Sequence, residues 1–390
     1  MSLGAVGASA STFKSEAAET ATPGGNPRPS KLIEGPDTPK LTMSAGANST
    51  ASNMKCFKQF GADYVHMGGP RIPWTVEGLK AIQDRFKAEG LTIINMMINF
   101  SGAIIHGTEG RDEEIQKVKD SLIAAGKVGL PVVEYNFYSH RAVEGYYNVF
   151  AKDRGGIQYL GYDYNRKGQP DPKDNLWNYR GARSPDEENL AMVDLKGTAR
   201  DPAQTAAKAW ENLEYFLKAV IPVAEKAGVV MALHPNDPPP PISRGSEQIM
   251  SSFKDWKHLF DLVDSPSNGM TFDCGVSTEI GENAVEVCKY MMSRKRINHV
   301  HYRNVSLDTP RIKYLEVMID NGDVDMMGVM YELIKGKYKY GIWAEHPRDN
   351  EFDKTHPGDN AFATYLYNQS YARATFQACM ALQQGWKAPK

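Results

Sequence analysis

Four short stretches each place a side chain that can bind a metal where an apolar run gives way to a polar loop. These stretches are Val230-Met-Ala-Leu-His234, Met270-Thr-Phe-Asp273, His299-Val-His301 and Gly341-Ile-Trp-Ala-Glu345. Two imidazoles and two carboxylates form a ligand set for a divalent cation. Strands of a parallel closed barrel bring their carboxyl ends to one mouth. We therefore predict a metal site formed by His234, Asp273, His301 and Glu345.

Two of these ligands have a neighbour of competing chemistry. Asp273 precedes Cys274, and because adjacent residues of a strand face opposite ways, only one of them points at the shared centre. We favour Asp273, which suits a hard ion such as Mn²⁺ or Mg²⁺, and keep Cys274 as the alternative that would shift the choice toward Zn²⁺. Glu345 precedes His346. We assign Glu345 to the metal and His346 to proton transfer.

An arginine follows the third of these stretches. Arg303 lies two residues beyond His301 and so on the same face of an extended chain. A guanidinium at a barrel mouth can hold a carboxylate with two parallel hydrogen bonds. The sequence therefore predicts that Arg303 binds an acidic substrate, and the alternative is a surface ion pair of little energetic consequence.

The elements that must position these residues alternate along the chain. From residue 41 onward, strand-like runs alternate with amphipathic segments of helical length, the pattern of parallel βαβ units. The strand candidates cover residues 41–44, 64–67, 91–96, 132–137, 229–233, 270–272, 299–302 and 340–344. Eight such units predict an α/β fold, a (β/α)8 TIM barrel, with an open doubly wound sheet as the alternative.

Two regions depart from this alternation. Residues 1–40 are rich in small residues and proline, so we predict a leader outside the fold, either a disordered one or the remnant of a twin-arginine export signal. Export would place the protein in the periplasm, and otherwise it is cytoplasmic. Residues 41–390 form a single barrel domain in which 138–201 are a long loop insertion after the fourth strand. That loop is expected to cover the metal mouth or to form a subunit contact.

The totals exclude several classes of partner. The net charge of -2, from 45 basic and 47 acidic residues, gives no field for nucleic acid or an anionic membrane. No apolar run approaches the roughly 20 residues of a membrane span. The cysteines, Cys56, Cys274, Cys288 and Cys379, form no CxxC pair and are expected to be reduced thiols. A small-molecule substrate fits this balance best, and since barrels of this kind commonly pair, we expect a homo-oligomer.

Taken together, five stretches resemble the mannonate dehydratase family, metal-dependent barrels of the xylose-isomerase-like group. They are Gly110-Arg-Asp-Glu-Glu-Ile, Tyr135-Asn-Phe, His234-Pro-Asn-Asp-Pro-Pro, Thr271-Phe-Asp-Cys-Gly and His301-Tyr-Arg-Asn-Val. The resemblance runs from about residue 41 to the C-terminus. It implies one Mn²⁺-type ion and the removal of water from a sugar acid to give a 2-keto-3-deoxy acid. It also makes Tyr135 a catalytic candidate, and Asn136, Asn236 and Asn304, with Arg303, candidates for substrate binding.

The departures from the family pattern are as informative as the matches. Asp273 stands where the family has its ligand Cys, and Trp343-Ala-Glu-His-Pro replaces Arg-Pro-Asp-His-Gly, so the ligand set is harder. The family's Pro-Gly-Tyr, whose Tyr is implicated in catalysis, reads Pro357-Gly-Asp359. Asp359 is therefore a candidate for proton transfer. Tyr365 or Tyr367 could replace the missing tyrosine only by approaching from the next helical turn. These changes indicate a divergent member.

Dehydration of an aldonate needs a cation to stabilise an enediolate and an acid to protonate the departing hydroxide. On this reading the ion binds substrate oxygens, while His346 with Asp359 or a nearby Tyr moves protons. An isomerase or epimerase of the same group needs the same enediol chemistry without loss of water. A non-catalytic sugar-binding protein is a further alternative. A phosphodiester hydrolase would need more metal ligands and a basic track for DNA, and neither is apparent.

Overall fold

A closed barrel of eight parallel strands forms the centre of the protein. The computed structural model describes residues 34–139, 141–142, 145–165, 203–243, 246–346, 348, 350–355 and 362–387. The barrel strands, in chain order, are β1 (Lys40–Ala45), β2 (Tyr64–Gly68), β3 (Thr92–Met97), β4 (Val132–Tyr135), β7 (Val230–Leu233), β10 (Asn268–Asp273), β11 (Ile297–His301) and β14 (Gly341–Trp343). They close in the order β1-β14-β11-β10-β7-β4-β3-β2. The predicted TIM barrel is confirmed, and every predicted strand overlaps a barrel strand.

Helices surround the barrel. They are α1 (Ala51–Gln59), α2 (Val76–Ala88), α3 (Gly102–His106), α4 (Arg111–Lys127), α5 (Ala206–Ala227), α6 (Phe253–Leu262), α7 (Cys274–Glu279), α8 (Ala284–Ser293), α9 (Met326–Lys335), α10 (Glu351–Thr355) and α11 (Phe362–Gln383). Three of them, α3, α7 and α10, are single short turns. Within the described part of the chain, no helix has the length and apolar character needed to cross a bilayer.

Capping residues set the ends of the long helix α5. The Thr205 side chain accepts a hydrogen bond from the Lys208 amide, and Gly228 ends the helix at φ 71°, a left-handed conformation that suits glycine. Its inner face is buried in the core through residues such as Phe216 and Leu217. The following strand, β7, is thereby held with its carboxyl end at the barrel mouth.

A second, antiparallel sheet lies at the same end of the barrel, and we call it the cap sheet. Its strands are β5 (Tyr146–Ala151), β6 (Ile157–Asp163), β12 (Val305–Thr309) and β13 (Lys313–Glu316), in the order β12-β13-β6-β5. Two further short strands, β8 (Ile242–Ser243) and β9 (Ser246–Glu247), pair with each other.

The cap sheet takes two of its strands from the long loop insertion expected over 138–201. Residues 146–163 form a hairpin, and two consecutive glycines with positive φ, Gly155 and Gly156, lie where the chain reverses. The hairpin is stabilised by β13, which comes from the insertion after β11 and pairs with β6. The part of the insertion from 166 to 201 lies outside the described residues, as do residues 1–33 of the expected leader.

Candidate active site

Four donor side chains meet at the carboxyl end of the barrel. His234, Asp273, His301 and Glu345 each offer one ligand atom, and these atoms lie within 4.8 Å of one another. They lie at or just after the carboxyl ends of the last four barrel strands, β7, β10, β11 and β14. All four residues are buried. The structure therefore brings together the four residues that the strand-end pattern selected.

His234 presents a lone pair to this cluster, and His301 lies beside it. His234 Nδ1 lies 2.7 Å from the carbonyl oxygen of Pro235, which can only accept, so Nδ1 carries the proton and Nε2 faces the cluster unprotonated. His234 Nε2 lies 3.1 Å from His301 Nδ1, and His301 Nδ1 lies 2.8 Å from Glu345 Oε1. Two imidazole nitrogens and two carboxylates converging in a buried space match the ligands of a divalent cation.

At the end of β10, the surrounding contacts favour Asp273 over Cys274 as a metal ligand. Asp273 accepts a hydrogen bond from the Val276 amide at 2.8 Å, which caps α7, and another from Arg303 Nε at 2.9 Å. The Cys274 thiol instead donates to the backbone carbonyls of His301 and Arg303. Burial raises the pKa of the Cys274 thiol, which favours its protonated form. The geometry thus supports the predicted choice of Asp273.

Arg303 is buried at the centre of a carboxylate network. Its guanidinium donates to Asp273 Oδ2 at 2.9 Å, Glu279 Oε1 at 2.8 Å and Asp237 Oδ2 at 3.2 Å. The surface ion pair considered above is ruled out, because Arg303 is only 2% exposed. A substrate carboxylate bound by Arg303, as predicted, would have to share it with these three partners.

His346 forms a dyad with a residue that the sequence did not reveal. His346 Nδ1 lies 2.6 Å from Glu316 Oε2, and His346 Nε2 lies 3.4 Å from Glu345 Oε2. Arg348 Nη2 also contacts Glu316, at 2.9 Å. Burial opposes ionisation of Glu316, but His346 and Arg348 outweigh it and hold the pKa of Glu316 well below its usual range.

The backbone of His346 is itself unusual. Its φ is 49°, a left-handed conformation that costs a non-glycine residue on the order of 1–3 kcal/mol. Such a conformation persists where surrounding contacts fix it. Here the backbone carbonyl of His346 accepts from Arg348 Nε at 2.7 Å.

The sequence signal that might have revealed Glu316 was a lone acidic residue at the end of the strand-like run Lys313–Glu316.

The candidates taken from the family resemblance lie in varied surroundings. The Tyr135 ring packs on Phe216 of α5, with ring centroids 5.7 Å apart, so it faces the helical layer. The Asn236 side chain donates to Gln248 and accepts from the Met250 amide. The Asn304 side chain accepts from the Val305 amide and donates to the Ile319 carbonyl. Asn136 is half-buried, and its side-chain amide donates to the sulfur of Met97. Substrate contacts by Asn236 or Asn304 would have to replace their present bonds.

The residues offered in place of the missing tyrosine differ in position. Asp359 lies outside the described residues. Tyr365 is held at the barrel mouth, where its hydroxyl accepts a hydrogen bond from Trp343 Nε1 at 2.8 Å. Tyr367 is 41% exposed and bonds to Asp320 and Arg154 at the surface. Of the two tyrosines, Tyr365 is therefore nearer to the four donors.

The chain is similar to known proteins in sequence and in fold. Residues 43–385 match the family model described as D-mannonate dehydratase (UxuA). The mannonate dehydratase of Streptococcus pneumoniae (strain 70585) is 30% identical over 323 residues, 76% of this chain and 82% of that protein. That of Enterococcus faecalis (strain ATCC 700802 / V583) is 30% identical over 328 residues, covering 80% and 89%. The crystal structure of mannonate dehydratase from Streptococcus suis serotype2 has the same fold, with a TM-score of 0.72, 24% identity, and coverage of 90% of this chain and 96% of that chain.

Proposed function

Since the chain belongs to the D-mannonate dehydratase family, we propose that it removes water from D-mannonate or a closely related aldonate to give a 2-keto-3-deoxy acid. The observation that carries this proposal is the juxtaposition of four metal-binding donors with the His346 dyad. A dehydratase needs both a site for a cation and a group that moves protons beside it. The barrel end supplies the site for the cation, and the cap sheet completes the proton-transfer group through Glu316.

The donor cluster is suited to a hard divalent ion. His234, Asp273, His301 and Glu345 would hold Mn²⁺ or Mg²⁺. When bound, such an ion supplies Lewis-acid stabilisation of negative charge on substrate oxygens. Carboxylates outnumber arginines among the described side chains of this site, so a cation also relieves their mutual repulsion.

His346 is the group we assign to proton transfer. Ionised Glu316 can only accept a hydrogen bond, so it selects the tautomer of His346 with the proton on Nδ1. Nε2 then carries the lone pair, on the side of Glu345. A substrate in the mouth would give its α-proton to this nitrogen, and the resulting imidazolium would be stabilised by Glu316 and could protonate the departing hydroxide.

Arg348 offers a further anchor for the substrate carboxylate, beside the predicted Arg303. Its Nη1 is buried and has no partner among the residues that the structure describes. Its other nitrogens hold the His346 carbonyl and Glu316, which fixes the orientation of the guanidinium. An arginine held in this way can bind a carboxylate without first losing side-chain freedom.

The proposed function is tested by turnover of a panel of aldonates. The purified protein would be incubated with Mn²⁺ under anaerobic conditions and each aldonate, with the product followed by mass spectrometry. We expect loss of one water and a 2-keto-3-deoxy product, with D-mannonate among the best substrates. Formation of an isomer of unchanged mass would show an isomerase or epimerase. No turnover by protein with Mn²⁺ demonstrably bound would refute the dehydratase proposal.

The Glu316 dyad gives a prediction for the rate of this reaction. We expect Glu316→Gln to lower kcat by about 10- to 100-fold, because the neutral amide neither fixes the His346 tautomer nor stabilises its protonated form. KM for the aldonate should rise by a smaller factor than kcat falls, since Glu316 also orients Arg348, the further anchor proposed for the substrate carboxylate. His346→Asn should lower kcat further, by about 100- to 10,000-fold.

Steady-state kinetics with Glu332→Gln as the matched control would measure this effect. Glu332 lies in α9, where it pairs with Lys335 at 3.4 Å. The control should behave as the parent. If Glu316→Gln retained the parent kcat, with the dependence of kcat on pH also unchanged, the dyad would have no part in proton transfer.

A further inference from the structure

A second carboxylate lies behind one of the metal donors, inside the barrel. Glu134 is on β4, and its Oε1 lies 3.4 Å from His301 Nε2. The residue is 3% exposed. Because neighbouring residues of a strand face opposite ways, Glu134 points into the barrel while Tyr135 points to the helical layer. Neither the strand-end pattern nor the family resemblance singled out Glu134.

Two buried hydrogen bonds fix the orientation of this carboxylate. Thr271 Oγ1 on β10 donates to Glu134 Oε1 at 2.7 Å, and Asn95 Nδ2 on β3 donates to Oε2 at 3.1 Å. Thr271 and Asn95 are themselves 0% and 1% exposed. An ionised carboxylate that accepts from both strands offers its remaining lone pairs to the imidazole beside it. Burial opposes ionisation of Glu134, but His299 and His301 outweigh it and lower its pKa.

The two nitrogens of His301 face different surroundings. Nδ1 faces the donor cluster, 2.8 Å from Glu345 and 3.1 Å from His234, whereas Nε2 faces Glu134. A neutral imidazole carries one proton. Each nitrogen thus lies beside a carboxylate. A cation in the cluster would take the place of the proton on Nδ1, and Glu134 would keep the proton on Nε2. His234 is fixed in a similar way, because its Nδ1 donates to the Pro235 carbonyl and its Nε2 faces the cluster.

We propose that Glu134 is a positioning residue that holds His301 in the tautomer and orientation required for binding the cation. The proposal rests on the proposed function for the presence of the ion, but it concerns a residue that does not touch the ion. Histidines that bind metals commonly donate their second N–H to a carboxylate or carbonyl, and removal of that partner weakens metal binding by about 10- to 100-fold.

The alternative occupant of this space is a second ion. Glu134, His299 and His301 also offer donor atoms within 4.8 Å of one another, and both nitrogens of His299 lack a partner among the described residues. A second ion there would need Nε2 of His301 as a ligand while Nδ1 serves the first site, which requires a fully deprotonated imidazole. A single ion with Glu134 as hydrogen-bond acceptor avoids that requirement, so we favour positioning.

The test measures ion binding without substrate. Apoprotein would be titrated with Mn²⁺ by calorimetry in the parent, Glu134→Gln, Glu134→Asp and the control Glu286→Gln, whose side chain is on the exposed face of α8. We expect one ion per chain throughout. The affinity should fall about 10- to 100-fold in Glu134→Gln and less in Glu134→Asp, which keeps the charge. Binding by the control should match the parent.

A spectroscopic measurement separates positioning from general damage. The visible absorption of bound Co²⁺ reports the strength and geometry of its ligands, so it should shift in Glu134→Gln while the circular dichroism of the apoprotein stays unchanged. If Glu134→Gln does not fold, Glu134→Asp alone decides the matter, since its shorter side chain moves the carboxylate away from His301.

Three results would overturn the proposal. They are unchanged Mn²⁺ affinity in the folded variants, two ions per parent chain falling to one in Glu134→Gln, and a parent that binds neither Mn²⁺ nor Co²⁺. Failure of the proposed function would look different, because the parent would bind Mn²⁺ with the expected dependence on Glu134 and still turn over no aldonate.

Discussion

Glu345→Gln is expected to abolish turnover and to prevent tight Mn²⁺ binding. Burial opposes ionisation of Glu345, but His301 and His346 outweigh it and hold its pKa well below the usual range, so the native side chain is an anionic donor. Glutamine has the same shape without the charge. We expect kcat/KM to fall by at least about 1,000-fold, since that factor corresponds to about 4 kcal/mol and a bound ion contributes several.

Two measurements would check this result. Calorimetry should show that Mn²⁺ affinity is lost in Glu345→Gln and kept in Glu332→Gln, and a chelator should inactivate the parent until Mn²⁺ is restored. Asp273→Asn should behave similarly, because Asp273 is the other carboxylate of the cluster. A Glu345→Gln variant with parental Mn²⁺ affinity would exclude Glu345 from the metal site.

Arg303→Met is expected to lower the free energy of unfolding by about 3–5 kcal/mol, as is found when one partner of a buried ion pair is removed. The variant would leave Asp237, Asp273 and Glu279 buried close together without the cation that now joins them. Lysine cannot replace it fully, because a single ammonium cannot match a planar guanidinium with three carboxylate partners. Arg303→Lys should therefore be destabilised too, though less.

Urea unfolding in the presence of a chelator would measure this effect apart from metal binding. Arg294→Met is the control, because Arg294 forms its ion pairs at the surface and its replacement should leave the midpoint unchanged. A different result would contradict this prediction. If Arg303→Met unfolded at the parental urea concentration and only KM for the aldonate rose, Arg303 would be the substrate anchor that the sequence predicts.

The barrel and the meeting of four side chains at its mouth were predictable because their signals are local. Each strand is a short apolar run, and each donor lies where such a run ends, so position along the chain gives position at the mouth. The choice between Asp273 and Cys274 as a ligand could also be argued from the sequence, because adjacent residues of a strand face opposite ways. The same rule, applied inside the run Val132–Tyr135, would have marked Glu134 as an acid facing the barrel interior.

The cap sheet and its contribution could not be predicted in this way. Glu316 reaches His346 only because β13 pairs with β6, and β6 belongs to a different insertion far along the chain. Pairing between insertions leaves no local periodicity to detect. Similarly, the sequence motif placed Asn304 next to Arg303, but it did not predict the hydrogen bonds of the Asn304 side chain to the backbone of Val305 and Ile319.

The origin of the two halves of the site has a consequence for how this protein can change. The ends of the barrel strands hold the four proposed cation donors, and β4 holds Glu134. The cap sheet holds Glu316 and two tyrosines, Tyr146 and Tyr314, that contact Asp237. Insertions between strands tolerate substitution better than the strands themselves. Laboratory evolution confined to the two hairpins should therefore be able to select new reactions or new substrates while the same ion stays bound, since its ligands lie in the part of the molecule left untouched.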